Sequence, residues 1–265
     1  MLLSDEGVWT GGQPSGLAEF RHLAEKGIRT VICVDGATPD VESARAVGLE
    51  TVHLPMSYDA VPDTVLKSIA RVIREKPGPW YFHCHHGTHR GPTAAAIALR
   101  EKTGCGADEG LLVLEKAGTN PDYRGLWEAV KNFEVAADIS DAPTLVERAF
   151  VGDFTAAMAN VDRIWDRVDD CRAADWEVPA AHPDIVPSHE TLILVQAFSN
   201  LRIPKGGHLA SNPQFSEALE KSRLQVRALH AAVLSGDKAQ AEKDFRSMEQ
   251  ACFSCHATWR EKTDT

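Results

Sequence analysis

The chain is poor in cysteine, with six in 265 residues (Cys33, Cys84, Cys105, Cys171, Cys252 and Cys255). That is too few for a disulfide scaffold to stand in for a hydrophobic core. Long apolar runs are also lacking. None approaches the ~18–20 residues needed to cross a bilayer, so no membrane span is expected. Basic residues are in deficit, 28 Lys+Arg against 38 Asp+Glu, for a formal net charge of −10. An acidic surface repels phosphodiester backbones and anionic headgroups, which excludes nucleic acid as an expected partner. The acidic excess is shared by the two halves, and there is neither an internal repeat nor a low-complexity segment. The opening MLLSDEGVWT has no apolar core of the secretory kind, because acids arrive at Asp5 and Glu6.

What is present divides in two. Up to about residue 138, strand and helix patterns alternate. VWTGGQ, IRTVICVD (28–35), LETVHLP (49–55) and PWYFHC (79–84) read as strands. LAEFRHLAEKG, ended by Gly27, and residues 62–78, with Val65, Ile69, Val72 and Ile73 on one face, read as helices. Helix is also expected from Pro92, over 107–117 and over 123–136. This order predicts an α/β domain, 1–138, with a mostly parallel sheet flanked by helices. Beyond DISDAPT, which reads as a linker, the strand signal ends. Helices over 143–172, 188–202, 213–235 and 237–262 predict a second, all-α domain, 139–265, built as a four-helix bundle.

The stretch WYFHCHHGTHRGPTAAAIAL (80–99) runs an apolar strand into a glycine-containing loop and then into a helix. Such a junction gathers backbone N–H groups and the positive end of a helix dipole, and so makes an anion site. Cys84 opens the loop and Arg90 stands six residues later, at the expected helix start. A helix N-terminus with nearby cations favours the thiolate form of a cysteine, which is the nucleophile. A guanidinium grips two phosphoryl oxygens at once. Two other readings remain: a buried strand-end cysteine beside a structural arginine, or a His/Cys metal cluster over 83–89.

Read as His83-Cys84-His85-His86-Gly87-Thr88-His89-Arg90, the stretch resembles the signature of the cysteine-dependent protein-tyrosine/dual-specificity phosphatases. GGQP, TVICVD and the alanine-rich helix fall in that family's order, so the resemblance spans about residues 8–136. It implies Cys84 as nucleophile, Arg90 as phosphate ligand, and His83 tuning the thiol from behind. It also implies a phosphate-binding loop of His85, His86, Gly87, Thr88 and His89. The family's general acid, an aspartate on an earlier loop, corresponds to Asp59 in preference to Asp63, which looks like a helix cap. One position departs from the pattern: where the family places a Ser or Thr after the arginine, to help the thiolate leave, this chain has Gly91, with Thr93 two residues on. Thr93 or a histidine would have to substitute, or turnover is slow. With three loop histidines in place of lysines, the substrate expected is a phosphorylated protein or a small phosphomonoester. Cys33, on a neighbouring strand, reads as a core cysteine or as a disulfide partner for Cys84 on oxidation.

Near the C-terminus, ACFSCHATWR contains Cys252-Phe-Ser-Cys255-His256, the Cys-x-x-Cys-His spacing of covalent haem attachment. Thiols at i and i+3 share a helix face and reach the two vinyl groups of one porphyrin, and the next histidine can ligate the iron. A zinc site is the competing reading, but it needs a further ligand. With Trp259 and Arg260 following, and four helices predicted, residues 140–265 resemble the cytochrome c′ family. The resemblance implies haem c, a haem-iron ligand at His256 and a homodimer through the helical bundle. Met158 is then the candidate sixth ligand, ahead of His189 and His208, or else a core residue. Haem attachment occurs outside the bacterial cytoplasm. The expectation is therefore a periplasmic or exported protein, although no signal peptide stands in this chain. The whole reads as a phosphatase joined to a haem domain for redox or gas sensing. The alternative is a c′-type cytochrome with a catalytically weak phosphate-binding module.

Overall fold

The computed structural model describes residues 2–3, 6–58, 60–183, 185–203, 205, 209–210 and 212–260. The chain forms two compact units, Met1–Val151 and Gly152–Thr265.

The first unit contains β1 (Leu2–Leu3), β2 (Val8–Gly11), α1 (Gly16–Glu25), β3 (Thr30–Cys33), α2 (Val41–Ala46) and β4 (Glu50–His53). It continues with α3 (Asp63–Glu75), β5 (Trp80–His83), α4 (Arg90–Thr103), α5 (Ala107–Ala117) and α6 (Arg124–Asn132). The strands lie in the order β1-β2-β5-β3-β4. All neighbours are parallel except the short edge strand β1, which runs antiparallel to β2. The sequence pattern missed β1 and α2, each too short for its periodicity to show.

Alternation along the central strands builds two cores. Ile32 of β3 and Phe82 of β5 face one way, into a cluster with Val52, Ile69, Val72 and Ile97. Val31 and Tyr81 face the other way, against Phe20, Leu23 and Ala44 of α1 and α2. Helices therefore cover both faces, and every residue of β3 and β5 is buried. That is why these strands read as continuous apolar runs. The result is an α/β fold with a mostly parallel sheet between helical layers.

The second unit holds α7 (Asp153–Ala173), α8 (Pro187–Asn200), α9 (Pro213–Ser235) and α10 (Lys238–Cys255), followed by a π-helical turn, His256–Arg260. Consecutive helices pack against one another. Their shared core takes Val161, Ile164 and Val168 from α7, Leu194 and Phe198 from α8, Val226 and Leu229 from α9, and Ala241, Phe245 and Met248 from α10. These recur at three- and four-residue intervals, the spacing of one helical stripe. Trp165 of α7 stacks on Phe245 of α10 at 4.3 Å between centroids. The Asn212 and Asp237 side chains accept from the amides of Phe215 and Gln240, capping α9 and α10.

The helix expected over 143–172 begins instead at Asp153. Residues 139–151 spend their backbone groups on the first unit. Arg71 donates to the carbonyls of Ile139, Ala142 and Pro143. The His53 amide donates to the Val146 carbonyl. Arg148 pairs with Glu42, and Arg45 with Glu147. A segment held by its carbonyls in this way does not need the helical ladder that Leu145, Val146 and Phe150 suggest by spacing.

Candidate active site

The carboxyl ends of parallel strands are where α/β sheets collect ligands. Here β2, β3, β4 and β5 end at Gly11, Cys33, His53 and His83. Cys84 follows β5 directly and is 2% exposed. The loop 85–89 then turns into α4, which begins at Arg90. This is the strand–loop–helix junction read from the sequence. His89, at the N-cap, makes no side-chain cap, and Pro92 in the first turn has no N–H. The leading amides of α4, with no intrahelical acceptors of their own, are left for another acceptor.

The residues TGGQ (10–13) beneath the loop explain its glycine. Gly87 has φ +78, and a Cβ there would lie 2.3 Å from the backbone of Gly11 and Gly12. The Gln13 amide donates to the His85 carbonyl at 2.9 Å. The Tyr81 hydroxyl donates to the Gly12 carbonyl at 2.7 Å. The phosphate-loop candidate is therefore laid backbone-on-backbone over the end of β2. Within it, the Thr88 hydroxyl meets His89 Nδ1 at 3.1 Å, and the Thr88 carbonyl accepts from the Thr119 hydroxyl at 2.6 Å. The rings of His85 and His86 lie 4.5 Å apart. His83 is buried, and its Nδ1 reaches the Cys84 carbonyl at 3.4 Å.

Arg90 is the most constrained cation of the site. It is 7% exposed. Its Nη2 donates to Asp35 Oδ1 at 3.1 Å, and its guanidinium carbon lies 4.5 Å from the centre of the Tyr58 ring. Its Nε, although buried, meets no acceptor among the described residues. Burial works against the charge, but Tyr58, Asp35 and Cys84 outweigh it and raise the guanidinium's pKa. Asp35 Oδ1 also accepts from the Gly36 amide at 2.6 Å, and its carbonyl receives His53 Nε2 at 2.9 Å. The Ala149 amide donates to His53 Nδ1 at 3.1 Å, which fixes the proton on Nε2. Burial pushes the His53 pKa down, so the ring stays neutral.

Sequence reasoning missed Asp35, His53, Tyr58 and Tyr123. The ring centroids of Tyr58 and Tyr123 are 4.5 Å apart, and Tyr123 lies 4.8 Å from His89. Asp35 and His53 could have been found as polar residues at the carboxyl ends of core strands. Asp59 lies outside the described residues. Asp63 stands in the first turn of α3, where Pro62 is the cap, and its carboxylate pairs with Lys67 at 2.9 Å. Neither Cys33 nor Cys84 is in a disulfide, and Cys33 Sγ contacts the Ala37 carbonyl at 3.8 Å.

In the second unit, Cys252 lies in the last turn of α10, Cys255 ends it, and His256 opens the π-helical turn. Burial, reinforced by the neighbouring Cys255, pushes the Cys252 thiol up to about 12, and burial also raises that of Cys255. Both thiols are free. Cys252 and Met158 pack on the same apolar core, and Trp259 lies 5.7 Å from Phe215, ring to ring. Two neighbouring thiols, an adjacent histidine and apolar surroundings form a donor set that fits covalent haem. His189 is exposed, and His208 lies outside the described residues.

No family model matches the chain. No curated protein matches it either. Among solved structures, the chain is similar over part of its length to TpbA of P. aeruginosa, with 21% identity and a TM-score of 0.42, covering 49% of this chain and 82% of that one. A TpbA variant in complex with pTyr aligns at 19% identity and a TM-score of 0.41, over 51% and 90% of the two chains. Tk-PTP in its active form aligns at 17% identity and a TM-score of 0.36, over 45% and 88%.

Proposed function

We propose that the first unit hydrolyses phosphate monoesters through a cysteinyl-phosphate intermediate. The observation that carries this reading is Arg90, a buried guanidinium whose Nε meets no acceptor among the described residues, at the helix end that follows the Cys84 loop. A buried donor left unpaired costs free energy, and a bound phosphoryl oxygen removes that cost. In the reaction, Cys84 Sγ attacks phosphorus in line and the ester oxygen leaves, taking a proton from Asp59. Water then attacks the phosphocysteine, its proton passing to Asp59, and the P–S bond breaks to release phosphate. Arg90 and the leading amides of the loop and α4 hold the equatorial oxygens throughout. Asp35 keeps Arg90 in place. The Tyr58 and Tyr123 rings favour an aryl or peptide-borne phosphate, so the substrate class is a phosphorylated protein or a small phosphomonoester. The wild-type chain is expected to hydrolyse p-nitrophenyl phosphate and to be inhibited by inorganic phosphate. A chain with no such turnover overturns the reading.

For the second unit the proposal is a four-helix bundle of the c′ type. Haem would be held by Cys252 and Cys255, with His256 as a ligand of the iron and Met158 as a further candidate ligand. The haem would supply an iron centre for electron transfer or gas binding, which would place the protein in the periplasm or outside the cell. Association as a homodimer through these helices belongs to the same proposal. Co-expression with a c-type maturation system should give a pyridine haemochrome spectrum. A colourless protein in which Cys252 and Cys255 both react with a thiol reagent would reject the haem.

A further inference from the structure

The chemistry proposed above ends by expelling a thiolate, and an expelled anion in a buried site needs a donor. Gly91, the residue after Arg90, cannot supply one, nor could it easily be exchanged for a residue that does. A Cβ at Gly91 would lie 3.0 Å from the Cys84 amide nitrogen, 3.2 Å from His83 Cα and 3.2 Å from Thr10 Oγ1. The third of these distances identifies what fills the space: the hydroxyl of Thr10, on β2.

Thr10 is 2% exposed, and its Oγ1 has no hydrogen-bond partner among the described residues. A buried hydroxyl left in that condition has given up its water without a replacement, which is unfavourable unless something the site receives will use it. The sheet register places it. Thr10 pairs with Phe82 across the parallel ladder, so the two side chains share a face. Cys84 lies two residues beyond Phe82 and joins Phe82 in the same core cluster. Thr10 thus stands on the Cys84 side of the sheet, beneath the first turn of α4. The Thr93 hydroxyl, two residues beyond Gly91, is already committed, since its Oγ1 donates to the His89 carbonyl at 3.0 Å.

We propose that the Thr10 hydroxyl is the donor that receives the Cys84 thiolate when the phosphoenzyme breaks down. This inference rests on the phosphatase reading. As water oxygen bonds to phosphorus, the P–S electron pair returns to Sγ, and the Thr10 O–H donates a hydrogen bond to it without giving up its proton. The first step, in which Cys84 is consumed, does not need this donor. The two steps should therefore separate when it is removed.

The test is pre-steady-state hydrolysis of p-nitrophenyl phosphate by the full chain. In Thr10→Val the burst of p-nitrophenol should stay close to one equivalent, while the steady-state rate falls about 10–100-fold, the worth of one hydrogen bond to a charged group. Thr10→Ser should restore the rate to within a few-fold of wild type. An unchanged steady-state rate in Thr10→Val overturns the inference and leaves the phosphatase reading intact. A loss of burst and turnover together, or no rescue by serine, makes Thr10 structural and also overturns it. A wild type with no turnover overturns both.

Discussion

Cys84→Ser is expected to leave a folded protein that binds phosphate and turns over almost nothing. The exchange of sulfur for oxygen changes little in volume at a side chain that is 2% exposed, so the loop and the α4 terminus should keep their places. What changes is the nucleophile. A serine hydroxyl holds its proton far above neutral pH and needs an adjacent general base to attack, whereas a thiol in an electropositive site can react as the thiolate. The rate on p-nitrophenyl phosphate should fall at least about 10³-fold, because a nucleophile and the groups serving it act as one unit. Affinity for inorganic phosphate, set by Arg90 and backbone amides, should change by no more than a few-fold. Calorimetric titration with phosphate beside the steady-state assay checks both halves.

Gly87→Ala is expected to lower activity by about 10²-fold, for a different reason. Gly87 holds a left-handed conformation, φ +78, which an L side chain adopts only with strain. The added methyl would also stand 2.3 Å from the carbonyl carbon of Gly11 and the nitrogen of Gly12. These are backbone atoms at the end of a paired strand, and they cannot swing aside as a side-chain tip does. Either the loop rises off β2 or β2 is pushed away. A shift of about 1 Å in a positioned site costs about 10² in rate, and the strain itself about 1–3 kcal/mol. Gly12→Ala is the control: its Cβ would meet the nearest atom, the His85 carbonyl oxygen, at 3.5 Å, an ordinary contact. Steady-state rates and thermal melts of the two variants should diverge, with Gly87→Ala slow and less stable and Gly12→Ala close to wild type.

Much of the site was legible because its central residues are neighbours in sequence. Cys84, the loop and Arg90 lie within one strand–loop–helix turn, and local rules for strands, glycines and helix ends place them correctly. Asp35 was not legible, since its carboxylate meets Arg90 across 55 residues of chain, and only the strand order β5-β3 brings them together. Thr10 was hidden for the same reason. In the sequence it is one more β-branched strand residue, and its meaning depends on the space left at Gly91. That glycine looked like a missing hydroxyl. In the structure its lack of a side chain is what lets α4 sit on the Cys84 amide and on Thr10. The helix expected from 143 failed on a different physical ground. Apolar spacing cannot show that the carbonyls of Ile139, Ala142 and Pro143 are taken by Arg71.

The measurement that bears most directly on the central claim is acid quench of the full chain a few milliseconds after mixing with p-nitrophenyl phosphate, followed by peptide mass analysis. The account predicts phosphate on the peptide carrying Cys84 in the wild type, persisting longer in Thr10→Val once the substrate is spent and absent in Cys84→Ser. Turnover without phosphate on Cys84, or phosphate on another residue, would contradict it.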